Sequence, residues 1–119
     1  MKKVFFIATS LFFSLSVLSQ EKLNTDDLIG YWQPSEESTQ LFFWKDVNGF
    51  LQVQEISGTS GRPIHINSLS VRRDSVIVEE TFLYNNWKTK NVYTLVDNKT
   101  LSCVVTGDSN CTLIYNKIK

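Results

Sequence analysis

The chain has 119 residues, with twelve Lys and Arg set against twelve Asp and Glu, two Cys and a single His. A neutral balance without a basic cluster excludes the electrostatic footprint of a nucleic-acid binder or of a protein held on an anionic membrane. One His and two Cys are too few for a zinc site, so neither a metal nor another cofactor is expected.

The first residues read as a targeting signal. Met1-Lys2-Lys3 is a short basic start, and Val4 to Leu18 is a largely apolar run softened by Ser and Thr. At about fifteen residues it is short for a spanning helix and suits a signal-peptide core. Val17 and Ser19 fit the small-residue cleavage pattern, so cleavage is expected after Ser19, with Gln20 a new N-terminus able to cyclise. No Cys follows the site, which argues against a lipoprotein anchor. An anchor retained through Phe5, Phe6, Phe12 and Phe13 is the other reading. Loss of residues 1–19 removes Lys2 and Lys3, leaving ten basic against twelve acidic side chains on 100 residues. That is one domain, 20–119, with one core. No second apolar stretch is long enough to span a bilayer. The expected product is a soluble monomer, secreted or periplasmic.

From Asp27-Leu28-Ile29-Gly30-Tyr31-Trp32 onward the sequence is a series of short β-type runs, each closed by a turn. No Pro follows Pro63, and no 3.6-residue apolar stripe occurs. Eight strands are predicted near 28–33, 39–45, 50–57, 63–72, 75–84, 87–96, 100–106 and 111–117. Their regular spacing predicts an all-β, antiparallel up-and-down meander closed into a barrel. Leu23 to Asp27 suits a short helical turn capped by Asn24 or Thr25.

The turns propose registers. Asn48-Gly49, within Asp46-Val47-Asn48-Gly49, suits a tight hairpin that pairs Trp44 with Leu51 and Phe42 with Val53 on one apolar face. Phe43 and Phe50 then sit on the other face as an exposed aromatic pair. Arg73-Asp74 and Asn85-Asn86 read as two-residue turns. The second pairs Tyr84 with Trp87, Glu80 with Asn91, Val78 with Tyr93 and Val76 with Leu95, leaving Thr81, Leu83, Lys88 and Lys90 on a solvated face. Extension through Arg73-Asp74 sets Asn67 beside Glu80 and His65 beside Phe82. Ile64 and Ile66 then point outward; a slip of one residue would bury them and expose Asn67 instead.

Two cysteines in an exported chain read as a disulfide, with two free buried thiols as the alternative. If Cys103 faces Cys111, Gly107 lies at the centre of the last turn, and Leu101, Cys103 and Val105 share a face with Leu113 and Tyr115. Directly paired residues stand about 4.5–5.5 Å apart, within disulfide reach.

Chemistry-bearing patterns are few. A single His gives little basis for a nucleophile–base pair. Glu36-Glu37 and Glu79-Glu80 are adjacent residues, which point to opposite faces of a strand and cannot flank one substrate. No enzyme is expected. What the register does predict is an inward polar band, His65, Asn67, Glu80 and Asn91, within an aromatic wall that includes Tyr84, Trp87, Tyr93 and Trp44. An apolar pocket with a few convergent polar groups is the usual form of a small-molecule site; a satisfied buried network is the bland alternative. The Gly/Ser-rich loop Ser57–Pro63 is either a long hairpin connection or a surface for a protein partner.

Gly30-Tyr31-Trp32, followed by a meander and the closing strand Leu113-Ile114-Tyr115, resembles the calycin superfamily. It is closest in size to small secreted bacterial lipocalin-like proteins. The resemblance implies that Trp32 packs across a closed barrel end, that Gly30 lets the strand bend beneath it, and that Lys117 partly replaces the stacking Arg of that family. It implies non-enzymatic binding of a small, partly apolar ligand, with Glu80 and Asn91 as polar anchors. The alternative is a secreted inhibitor of a lysozyme or peptidase acting through its loops.

Overall fold

A computed structural model describes residues 22–35, 38–58 and 61–119. The signal segment 1–19, its cleavage site, Gln20 and Glu36-Glu37 lie outside the described residues. Eight antiparallel strands follow one another around a closed up-and-down barrel: β1 Gly30–Pro34, β2 Gln40–Lys45, β3 Leu51–Ile56, β4 Pro63–Val71, β5 Val76–Phe82, β6 Trp87–Asp97, β7 Thr100–Gly107 and β8 Cys111–Lys117. Closure comes from β1 pairing with β8, Trp32 opposite Lys117 and Pro34 opposite Tyr115. A 3-10 turn, Thr25–Leu28, precedes β1 and is capped by Asn24, whose side chain accepts from the Asp26 N–H. Among the described residues no helix is long and apolar enough to cross a membrane.

The barrel follows from period-two alternation. Leu51, Val53 and Glu55 on β3 are buried, as are Val76, Val78 and Glu80 on β5 and Leu101, Cys103 and Val105 on β7. Gln52, Gln54 and Ile56 between the β3 residues are only half-buried. The apolar core fills the end of the barrel plugged by the 3-10 turn. There Trp32 is fully buried and its indole N–H donates to the Leu28 carbonyl at 2.8 Å. The Lys117 ammonium lies 5.5 Å from the Trp32 ring centroid. Gly30 has φ +134°, and a Cβ there would run into the Lys119 carbonyl. That close approach lets Tyr31 N–H donate to Lys119 O at 2.7 Å and Ile118 N–H to Tyr31 O at 2.8 Å, which ties the C-terminus to β1.

Four registers differ from those the turns suggested, for local reasons. Between β2 and β3 the tight Asn48-Gly49 hairpin is replaced by a longer loop. The Asp46 carboxylate accepts from the N–H groups of Asn48 and Phe50 at 2.9 and 3.0 Å and from Gln52 Nε2 at 3.0 Å. Lys45 therefore faces Leu51, and Phe43 faces Val53. This one-residue difference turns β2 over: Leu41 and Phe43 are core, while Phe42 and Trp44 stack outside, with Tyr31 beyond Phe42. Of the expected exposed pair, Phe50 alone is exposed.

The Arg73-Asp74 turn forms as expected, with Arg72 N–H donating to Ser75 O at 2.8 Å. A bulge at Asn67 then shifts β4 against β5, so that Ile66 faces Glu80 and His65 faces Thr81. Ile64 is buried and His65 exposed, while Asn67 is outside, donating to Thr81 Oγ1 at 2.9 Å. His65 and Asn67 thus leave the inward band.

The β5–β6 connection is a four-residue turn, Leu83 to Asn86, with Asn86 at φ 60° and Trp87 N–H held by Asn85 Oδ1 at 2.9 Å. Phe82 faces Trp87, Glu80 faces Thr89 and Val78 faces Asn91, two residues from the expected pairing. In the last hairpin Val105 faces Cys111 and Cys103 faces Leu113, again a shift of two. Gly107 ends β7 rather than centring the turn; a Cβ there would come within 2.6 Å of the Lys88 carbonyl. The two cysteines are not bonded: Cys103 is buried and Cys111 exposed. They are diagonal rather than direct neighbours, and diagonal pairs generally stand about 7–8 Å apart, beyond the usual disulfide span.

Candidate functional site

The end of the barrel opposite Trp32 is built differently. It carries the β1–β2, β3–β4, β5–β6 and β7–β8 connections, and a cavity of about 190 Å³ opens there. Aliphatic walls come from Ile64, Val105 and Leu113, and the rim carries Phe82, Tyr84 and Trp87. Tyr84 and Trp87 are about half exposed, one in the β5–β6 turn and one at the start of β6.

The floor is polar. Glu55, Glu80, Thr89 and Asn91 are all buried, Glu80 to 1% exposure, and all line the cavity. Asn91 Nδ2 donates to Glu80 Oε1 at 3.0 Å and to Tyr93 Oη at 3.2 Å. Tyr93 and Tyr115 donate their hydroxyls to the two oxygens of Glu55, at 3.4 and 3.1 Å. Tyr93 in turn meets Phe43 and Tyr115 edge-on, which joins the polar floor to the apolar core.

This network is incomplete. Glu80 Oε2, Thr89 Oγ1 and Asn91 Oδ1 are buried without a hydrogen-bond partner. Each such atom costs about 1–3 kcal/mol unless water or a ligand meets it. Burial pushes the Glu80 carboxyl up to about 11; the Glu55 charge and a side-chain hydrogen bond to Glu55 act in the same direction, and Asn91 opposes them. Glu80 is therefore an acid at neutral pH. As a carboxylate it would leave Oε2 orphaned, whereas protonated it can donate to Glu55. Burial also raises Tyr93 and Tyr115, with the Glu55 charge next, so both hydroxyls remain donors. The Cys103 thiol is pushed up for the same two reasons, which makes it an inert packing group rather than a nucleophile.

Of the residues singled out from the sequence, Glu80, Asn91, Tyr93, Trp87 and Tyr84 converge on this end, with Tyr93 just beneath the cavity floor. Trp44, His65 and Asn67 do not. Glu55, Thr89 and Tyr115 were missed. Glu55 was within reach of the alternation, since it shares a face with Leu51 and Val53, already read as inward. Thr89 and Tyr115 likewise share faces with Asn91 and Leu113. Among the described residues no group of three or more His, Cys, Asp or Glu is placed to hold a metal.

The fold and site define a closed eight-stranded antiparallel barrel with one plugged end and one polar, half-open end. Comparison with known proteins returned no matching family model, no similar curated protein and no similar solved structure.

Proposed function

We propose that this is an exported, non-enzymatic, lipocalin-like barrel that binds a small, partly apolar ligand in the cavity at its open end. One observation carries the reading: the buried Thr89 Oγ1 and Asn91 Oδ1 lack partners and line one cavity beneath an aromatic rim, beside a Glu80 carboxyl whose second oxygen is met only by Glu55 when protonated. A structural network that existed only to satisfy itself would not leave such orphans around one space. The size is suitable, because a cavity of about 150 Å³ admits benzene. Resemblance to the calycin superfamily through Gly30 and Trp32 supports the same reading, as does the division between a plugged and an open end. Glu80 and Asn91 serve as polar anchors, Glu55 with its two tyrosines holds them in place, and Trp87 and Tyr84 cover the apolar body of the ligand.

Native mass spectrometry of the protein purified from its own host, beside the denatured mass, tests this. A non-covalent adduct of small-molecule mass is expected. A bare mass, with no change in tryptophan fluorescence across a metabolite and lipid panel, would overturn the reading. It would move attention to the Ser57–Pro63 and Gly107–Asn110 connections as surfaces for a protein partner.

A further inference from the structure

The chemistry of the open cavity narrows the class of ligand. Its three unpartnered atoms can all accept: the Asn91 amide oxygen, the Thr89 hydroxyl oxygen, which can also donate, and one oxygen of Glu80 once that carboxyl is ionised. Both Asn91 N–H donors are already spent on Glu80 and Tyr93. The Tyr115 hydroxyl is spent on Glu55. Two carboxyls line the cavity, and no Lys, Arg or His is among its described lining residues. An anion would meet two acids and no compensating cation, whereas an ammonium brings three N–H donors to three acceptors. Its apolar body would lie against the aromatic rim of Phe82, Tyr84 and Trp87.

We propose that the cavity selects a small organic ammonium ion with an apolar body, its –NH₃⁺ group seated among Asn91 Oδ1, Thr89 Oγ1 and Glu80. This rests on the ligand-binding reading above and adds a charge class to it. The groups facing Glu80 are Glu55 from β3, Tyr93 from β6, Cys103 from β7 and Tyr115 from β8, with Ile66 opposite on β4. None is a cation that could already compensate an ionised Glu80. The incoming ammonium does so: the Glu80 O–H bond breaks, its proton leaves to solvent, and the carboxylate pairs with the –NH₃⁺ group. Amine binding is thus coupled to release of up to one proton, and its affinity rises with pH across the neutral range.

The test uses three probes with one body and three head groups: 2-phenylethylamine, 2-phenylethanol and phenylacetate, titrated by tryptophan fluorescence and calorimetry at pH 6, 7 and 8.5. The amine is expected to bind roughly tenfold more tightly than the alcohol at pH 7, as a charge-assisted contact does over a neutral one. Phenylacetate should be weakest. Amine affinity should climb with pH while alcohol affinity stays flat, and calorimetry in buffers of different ionisation heat should show proton release. Glu80→Gln should keep the alcohol and lose both the amine preference and the released proton. If that variant does not fold, Thr89→Val should weaken the amine several-fold more than the alcohol. Equal binding of amine and alcohol, or preference for phenylacetate, would overturn the charge class and leave the binding reading standing. No response to any probe would overturn this proposal, and a bare native mass beside it would remove the binding reading as well.

Discussion

The two ends of the barrel divide the work. At the plugged end the core is closed and satisfied: Trp32 is fully buried with its indole N–H satisfied by Leu28, Lys117 covers its ring, and Leu23 N–H donates to Arg73 O at 2.7 Å. At the open end the same kind of strand carries Glu55, Glu80, Thr89 and Asn91 into a cavity where Thr89 Oγ1 and Asn91 Oδ1 are unanswered. A barrel this small cannot hold an unsatisfied floor unless the other end compensates. The apolar core is concentrated at the Trp32 end and the proposed binding site at the Glu80 end, with Tyr93 the shared wall between them.

That division can be broken from either side. The largest effect is expected at Trp32→Ala, which removes the biggest fully buried side chain and should cost about 3–5 kcal/mol, enough to unfold much of the population. Urea unfolding followed by circular dichroism measures it; a loss below about 1 kcal/mol would mean that the core lies elsewhere. Gly30→Ala comes next. With φ at +134° and the Lys119 carbonyl in the way, about 1–3 kcal/mol should be lost in the same assay, with the C-terminal residues released from β1.

Glu80→Gln should act in the opposite direction. The folded carboxyl sits near 11 against an ordinary value of 4.5, so the folded state holds a proton that the unfolded chain gives up. Stability is then greatest below about pH 4.5 and declines as pH rises toward the folded value. The amide removes that penalty, and the variant should gain about 1–3 kcal/mol at pH 7 with a flatter profile of Tm against pH. A steeper profile in the variant would contradict the assignment. The smallest stability effect is expected at Trp87→Phe on the rim, within about 0.5 kcal/mol, with probe binding weakened several-fold.

How much of this the sequence disclosed depended on parity. Strand faces were legible from alternation alone, because Val76, Val78 and Glu80 or Leu101, Cys103 and Val105 read correctly whichever partner they meet. The β5–β6 and β7–β8 registers differ from the expected ones by two residues, an even shift that keeps every side chain on its face. Glu80, Asn91 and Tyr93 therefore stayed inward, while the direct pairings of Glu80 with Asn91, Val78 with Tyr93 and Cys103 with Cys111 were lost. The β2–β3 register differs by one, which sent Trp44 outside. The cause is the Asp46 carboxylate gathering three donors, a side-chain interaction that dipeptide turn preferences do not register. The bulge at Asn67 was equally hidden, since half of β4 obeys one register and half the other. Glu55 lies inside the predicted strand 50–57 on the face of Leu51 and Val53, but what lets a carboxyl be buried there, the hydroxyls of Tyr93 and Tyr115, comes from distant strands.

The three tryptophans sample the three environments separately: Trp32 the plugged end, Trp44 the outer wall, Trp87 the open rim. Their indole N–H resonances in a nitrogen–proton correlation spectrum, followed while 2-phenylethylamine is added, test the division most directly. The Trp87 signal should move in a saturable way, together with the Asn91 side-chain amide, while Trp32 and Trp44 stay in place. Movement of Trp32 or Trp44 with Trp87 unchanged, or no movement at saturating probe, would contradict it.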